Sequence, residues 1–311
     1  MSVCMNTTEL KTAAHAAWEE HDEALAEQHF LAALAIDEQD AVTNYDLALL
    51  YKYQSRWAES LRYNRRAAEL NPEDAAAWWN MGIAATAIAD WATAAKAWAF
   101  FGITLPLDAV ENAAPDLKLG LIPVRITQGD QVEVLWANRL DSARAQIVSV
   151  PLPDCGVRYH DIVLIDGAPR GTRELNGKDV PVFDWLEFWQ RANYSTYVIE
   201  ANISNDLAVN TLDKLLADSQ MALEDWSRLM PMQHQAGGEE TQHALDAASE
   251  AKVAWQPERQ LGVAALNDQA LADVLDAWQT AHPEVEIIEV YNALDAQADD
   301  AEKEAMNEAA Q

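Results

Sequence analysis

His160 and Asp161, with Asp166 close behind, are the residue types that could serve hydrolysis or hold a metal. Neighbours in a strand point to opposite faces, so the simpler reading is that Asp161 opens a strand and Asp166 starts an Asp-Gly turn. His234 and His243 flank Gly237, Gly238, Glu239 and Glu240 in a polar stretch that reads as a solvated loop. Cys4 and Cys155 have neither metal-ligand spacing nor a disulfide framework. They read as free thiols of a reducing compartment, which points to the cytoplasm. The sequence holds no phosphate loop, dinucleotide glycine motif, HExxH or nucleophile elbow. No catalytic residue, metal or cofactor is expected. An enzyme would need an unrecognised site, a pocket with convergent polar groups in the C-terminal half.

Charge narrows the partners. The chain has 311 residues and a formal net charge of −30. Residues 1–106 carry 7 basic and 15 acidic side chains, residues 107–190 carry 8 and 13, and residues 191–311 carry 6 and 23. The C-terminal part is thus the most acidic, at −17. Such a field repels phosphate backbones. Arg125, Arg139, Arg144, Arg158, Arg170 and Arg173 are dispersed, without the aromatic interleaving of single-strand binders. Direct nucleic-acid binding is not expected. A basic protein would be attracted, although acidity could also serve solubility alone. No stretch approaches the roughly 18 apolar residues of a membrane span. The start lacks a basic region followed by an apolar core. A soluble chain is expected.

These side chains must be held by some frame, and the first third shows one. Segments beginning near Thr7, Ala41 and Ala75 align without a gap at about 34 residues. Ala14, Ala48 and Gly82 form one small column, where paired helices must approach closely. Ala26, Ser60 and Ala94 form a second small column, and Ala17, Tyr51 and Ala85 a third. Phe30, Asn64 and Trp98 share a column, as do Leu10, Asn44 and Trp78. Pro72 and Pro106 end their segments as helix breakers, with Glu38 in that place first. Gln54-Ser55-Arg56 and Ala89-Asp90 fit turns between paired helices, and Trp57 and Trp91 after them fit inter-helix core.

This register resembles the tetratricopeptide repeat (TPR) family over the N-terminal third, most closely from Asn71 to Trp98. The resemblance implies helical hairpins over 7–40, 41–74 and 75–106, stacked into one core with a concave face. In that family the first helix of each hairpin lines the groove. The implied groove residues are Lys11, His15 and Trp18, then Tyr45, Leu49, Lys52 and Tyr53, then Trp79, Ile83 and Thr86. Such a surface suits an extended peptide or a partner helix. One variant of the family clamps a C-terminal carboxylate. Lys11 matches one of its columns and Asn80 lies at another, but His15, Asp46 and Ala76 depart from it. The alternative is that the groove is filled by the protein's own C-terminal half.

Beyond Pro106 the period changes. Asp108 to Asn112 reads as the end of a capping helix. Leu119–Ile126 and the segment QVEVLWANRL read as strands around a Gly129-Asp130 turn. Ala145–Leu152 and DIVLID read as two more, with turns at Asp166-Gly167 and Asn176-Gly177. A small β-rich barrel or sheet is expected over 116–190. Further on, Thr196–Ile203 reads as a strand, Asn205 caps a helix, and Leu223–Leu229 reads as a short strand. A polar loop follows. Lys252–Leu266 supplies a strand, Asn267 caps a helix that stops before Pro283, and EVEIIEVYNAL supplies the last strand. That order, βαββαβ over 191–295, is the split arrangement of a ferredoxin-like fold. An acidic, disordered tail is expected over 296–311. The fold class is therefore multidomain α+β, with the helical repeats at 1–115.

The functional expectation is a protein-binding adaptor or scaffold with a protein partner, for which the acidic charge favours a basic one. The sharper alternative is an immunity or antitoxin protein neutralising a basic, nuclease-like toxin.

Overall fold

The computed structural model describes residues 5–106, 114–129, 131–228 and 255–293. Several sequence expectations lie outside these residues: Cys4, the end of a helix at 108–112, Asp130, Leu229, His234, Gly237, Gly238, Glu239, Glu240, His243, Lys252 and the tail 296–311.

Six helices run in hairpins: α1 (Thr7–Glu19) with α2 (Glu23–Ile36), α3 (Ala41–Tyr53) with α4 (Trp57–Leu70), and α5 (Ala75–Ala87) with α6 (Trp91–Ala99). The first-turn N–H groups are satisfied by aspartate caps in register. Asp40 and Asp74 cap α3 and α5, and Asp22 and Asp90 cap α2 and α6. Arg56 takes the matching place before α4 and makes no cap bond. It bridges Glu27 and Glu59 instead. His21, Ser55 and Ala89 each turn the chain in the left-handed region, with φ of 62°, 55° and 56°.

The small columns explain the close approach. A Cβ on Gly82 would lie 2.6 Å from the Trp98 ring, so only glycine admits that indole between α5 and α6. Ala26, Ser60 and Ala94 are fully buried, as are Phe30, Asn64 and Trp98. Trp57 and Trp91 are buried too. Trp78 Nε1–H donates to the Pro72 carbonyl at 2.9 Å, and in the preceding repeat Asn44 Nδ2–H reaches the Glu38 carbonyl at 3.3 Å. The loss of proline at position 38 thus leaves the same tie between loop and helix.

The contacts divide the chain into two compact units. One holds residues 1–119 with 139–145 and 164–167, and the other holds the remainder. In the first, the Asp141 carboxylate accepts the Arg144 side chain at 2.8 Å, and both side chains are almost wholly buried. Arg144 also donates to the Pro115 carbonyl and lies 4.8 Å from the Trp91 ring centre.

Five strands form a closed barrel in the order β1 (Leu121–Gln128), β2 (Gln131–Arg139), β3 (Arg144–Ile147), β4 (Ile162–Leu175), β5 (Lys178–Gln190). Closure is parallel, pairing Val124 with Phe183 and Arg125 with Asp184. Two expectations are corrected here. The third strand ends at Ile147 and does not reach Leu152, because the successive Val148 and Ser149 N–H groups both donate to the Trp136 carbonyl and break the ladder, and Pro151 and Pro153 cannot resume it. Asp166-Gly167 is not a turn. β4 runs through it to Leu175, and the reversal comes at Asn176-Gly177, with φ of 53° and 74°.

The last sheet has the order β7-β8-β6-β9, every neighbour antiparallel. Its strands are β6 (Ser195–Asn202), β7 (Ala222–Asp225), β8 (Glu258–Ala265) and β9 (Glu286–Asn292). Helix α7 (Asp206–Asp218) follows β6 and α8 (Asp268–Ala281) follows β8. Asn205 and Asn267 cap these helices. Leu212, Leu216, Leu271, Val274, Leu275 and Trp278 bury against Ile199, Leu261 and Val263 of the sheet. The second strand is shorter than Leu223–Leu229, since the chain turns at Trp226, whose Nε1–H donates to the Val150 carbonyl at 3.1 Å. The strand within Lys252–Leu266 begins only at Glu258.

Candidate protein-binding face

The ten residues expected along the inner face sit on α1, α3 and α5, and fall into two groups. Lys11 pairs with Asp40 at 2.7 Å, and His15 Nε2 lies 3.1 Å from Asp46. The His15 ring also meets Phe30 edge-on. Burial pushes the Asp46 carboxyl up, and His15 holds it partly down. Trp18 lies 6.3 Å from Tyr53, which is 55% exposed. Leu49 is half-buried. Asp40 and Asp46 thus set the charge of this half, and neither was singled out as a partner for Lys11 and His15 in the sequence.

The other group is covered. Lys52, Ile83 and Thr86 are buried and lie off the accessible surface. Residues 164–167 of β4 are what lies against this end. Lys52 Nζ donates to Asp166 Oδ1 at 2.7 Å and to Asn80 Oδ1 at 3.1 Å. Its side chain is 3% exposed and that of Asp166 is 15% exposed. Burial pulls the Lys52 ammonium below the ordinary lysine range, while the Asp166 carboxylate holds part of it up. Asp166 also accepts from the Tyr53 hydroxyl at 3.4 Å and from Gly167 N–H at 2.6 Å. A Cβ on Gly167 would sit 1.7 Å from Trp79 Nε1, so glycine is what lets the strand lie on that indole. Trp79 is also packed edge-on against Trp98 and Phe101. Asn80 Nδ2–H reaches the Tyr45 hydroxyl at 3.4 Å, and burial raises that phenol.

The sequence did not reveal that Asp166 and Gly167 lie against this face. Their dipeptide carries a strong local turn signal, and the contact that overrides it spans 114 positions.

The other groups with chemical potential are spent locally. His160 stands in the left-handed region, φ 66°, stacked on Tyr159 at 4.0 Å. Asp161 is fully buried. It accepts N–H bonds from Arg158 and Ala192 and pairs with Arg191. With Asp166 on Lys52, the three residues serve three separate networks. In the second unit, Glu133 accepts the Leu152 N–H at 3.3 Å and the Cys155 thiol. Burial raises Glu133 to about 7, and also raises Glu224 and the Cys155 thiol. Among the described residues no three His, Cys, Asp or Glu side chains are grouped to hold a metal, and no helix is long and apolar enough to cross a membrane.

The N-terminal hairpins are of tetratricopeptide type, as their helix pairs and columns show. No protein-family model matches the sequence, nor does any curated protein. Among solved structures, the second TPR of Spaghetti (RPAP3) bound to HSP90 peptide SRMEEVD is similar over 30% of this chain and 88% of that one, at 17% identity and a TM-score of 0.29. The Sgt2 TPR domain from Aspergillus fumigatus is similar over 30% of this chain and 62% of that one, at 22% identity and 0.28. The Arabidopsis OM64 TPR domain is similar over 30% and 78%, at 14% identity and 0.29.

Proposed function

We propose that this chain is a cytoplasmic, non-enzymatic adaptor that binds a protein partner through the first two helical repeats. One observation carries the reading. The inner face is divided, with the Lys52–Trp79 end occupied by the chain's own strand and Leu49, Lys11 and His15 left around an aromatic pair of which Tyr53 is exposed and Trp18 half-buried. Aromatic anchors of this kind give large contact area for little ordering cost. The partner is an extended segment or a helix face. The test is capture from native lysate with the full chain, at low and high salt, beside a Trp18→Ala/Tyr53→Ala variant. A protein retained by the parent and lost by a variant of unchanged circular dichroism supports the reading. Equal retention by both would refute it.

We further assign the C-terminal sheet to the ferredoxin-like class, on its β7-β8-β6-β9 order and the two intervening helices. That class hosts many functions, so it names none. The −17 charge on residues 191–311 favours a basic partner at that end. It equally supports an immunity-type role against a basic, nuclease-like toxin. Inhibition of a purified cationic nuclease by the full chain, relieved by salt, separates that role from a scaffold.

A further inference from the structure

Strand β9 is an edge strand, with β6 as its strand neighbour among the described residues. Its register sets Glu289 directly opposite Glu200, and Val290 opposite the fully buried Ile199. Residues directly opposite in a ladder share a face. Like charges so placed repel, and no cation pairs with either carboxylate among the described residues. Tyr291, two strand faces along, is raised by burial and then by these two carboxylates. On β9 itself Ile288 is 59% and Val290 39% exposed. Native edges are guarded by charged side chains, proline or bulges, and the guards here are a register shift near Glu200 and an acidic face, which turn away acidic segments and admit a basic one.

We propose that β9 is a docking edge for an extended, basic segment of a partner protein, added as a further antiparallel or parallel strand. A residue of that segment opposite Glu289 continues the Glu200–Glu289 row. A lysine or arginine there relieves the repulsion and reaches the Tyr291 ring. The next residue, opposite Val290, falls on the other face and is apolar. The recognised sequence therefore alternates basic and apolar residues. The chain's own end is a poor occupant, because Asp295, Asp299, Asp300, Glu302, Glu304 and Glu308 outweigh Lys303. A second copy is equally poor, since it would bring another Glu289 to the edge. The inference rests on the acidic-surface part of the reading above and not on the helical repeats.

The test uses the full chain and a blocked, fluorescein-labelled peptide of alternating lysine and valine, matched to the seven residues of β9. Fluorescence anisotropy should show binding that weakens with salt. It should weaken about tenfold or more in Glu289→Lys, and persist in Trp18→Ala/Tyr53→Ala. A lysine-proline peptide of equal charge cannot extend a ladder and should bind about tenfold or more weakly. Equal binding of the two peptides, or no effect of Glu289→Lys, would overturn the proposal. So would a dimer in sedimentation equilibrium that Glu289→Lys dissociates, which would make the occupant a second copy. Tighter peptide binding after removal of residues 294–311 would overturn it in favour of the chain's own end. Failure of the Trp18/Tyr53 test leaves this result untouched, so the two readings fail separately.

Discussion

Replacing Asp166 by alanine should destabilise the chain more than replacing Lys52 by methionine, although both break one ion pair. Asp166→Ala strands an ammonium that is 3% exposed, with only Asn80 left to accept from it. Removing one partner of a buried pair costs roughly 3–5 kcal/mol. The retained Asn80 bond places this case near the low end, at about 3 kcal/mol. Lys52→Met leaves a carboxylate that is partly exposed and still accepts from Tyr53 and Gly167, so its cost should be about 1 kcal/mol. The pH dependence follows from the direction of the lysine shift. Burial already lowers Lys52 in the folded state, and Asp166→Ala removes the two interactions that raise it. Between the depressed folded value and the ordinary value near 10.4, the unfolded chain binds more protons, so stability rises with pH. The parent gains in the same way only above its own, less depressed, folded value, so the Asp166→Ala deficit should shrink as pH rises from the variant's folded value to the parent's. Urea unfolding followed by tryptophan fluorescence, with parent and both variants at each pH, measures this. A larger deficit for Lys52→Met, or a deficit for Asp166→Ala that does not change with pH, would refute the picture of a buried ammonium held by a strand.

Gly82→Ala gains about 1 kcal/mol of helix propensity but drives a Cβ to 2.6 Å from a fully buried indole. A net loss of about 1–2 kcal/mol is expected, and a raised thermal midpoint would show that Trp98 can give way. Glu133 is raised to about 7 by burial. The folded state thus holds the extra proton between about pH 4.5 and 7, and stability falls as pH rises through that window. Glu133→Gln should remove that slope, matching the parent near pH 5 and exceeding it at pH 8 by up to about 3 kcal/mol. Denaturant unfolding at both pH values decides it, and parallel curves would count against the buried carboxyl.

Much of the frame was legible because its determinants are local. The 34-residue spacing marks the small column of Ala14, Ala48 and Gly82 and the turns at Ser55 and Ala89, while the aspartate caps and the turn at His21 emerge only in the structure. Asn176-Gly177, Asn205 and Asn267 likewise act through their own neighbours. What the sequence hid is settled across the fold. Asp166-Gly167 has the local chemistry of a turn, yet an ion pair with Lys52 and the bare backbone beneath Trp79 keep it extended. Trp226 ends β7 because the Val150 carbonyl waits for its indole, and Gly262 leaves the room. The inner face was readable as a list of ten side chains. Its division into a covered and an open part was not, because the covering strand is more than a hundred residues away.

That distance has a consequence for synthesis. A helical-repeat stack needs a cap on its last unit, and here residues 139–145 and 164–167 join the unit that the repeats form. The third hairpin leaves the ribosome about 60 residues before Gly167 does, an interval of about 3–12 s at ordinary elongation rates. Throughout it Lys52 lacks its counter-ion and Trp79 the strand that lies on it. Slowing or stalling translation between Pro106 and Gly167 should therefore prolong a sticky, chaperone-dependent nascent state, while a stall after Gly167 should not.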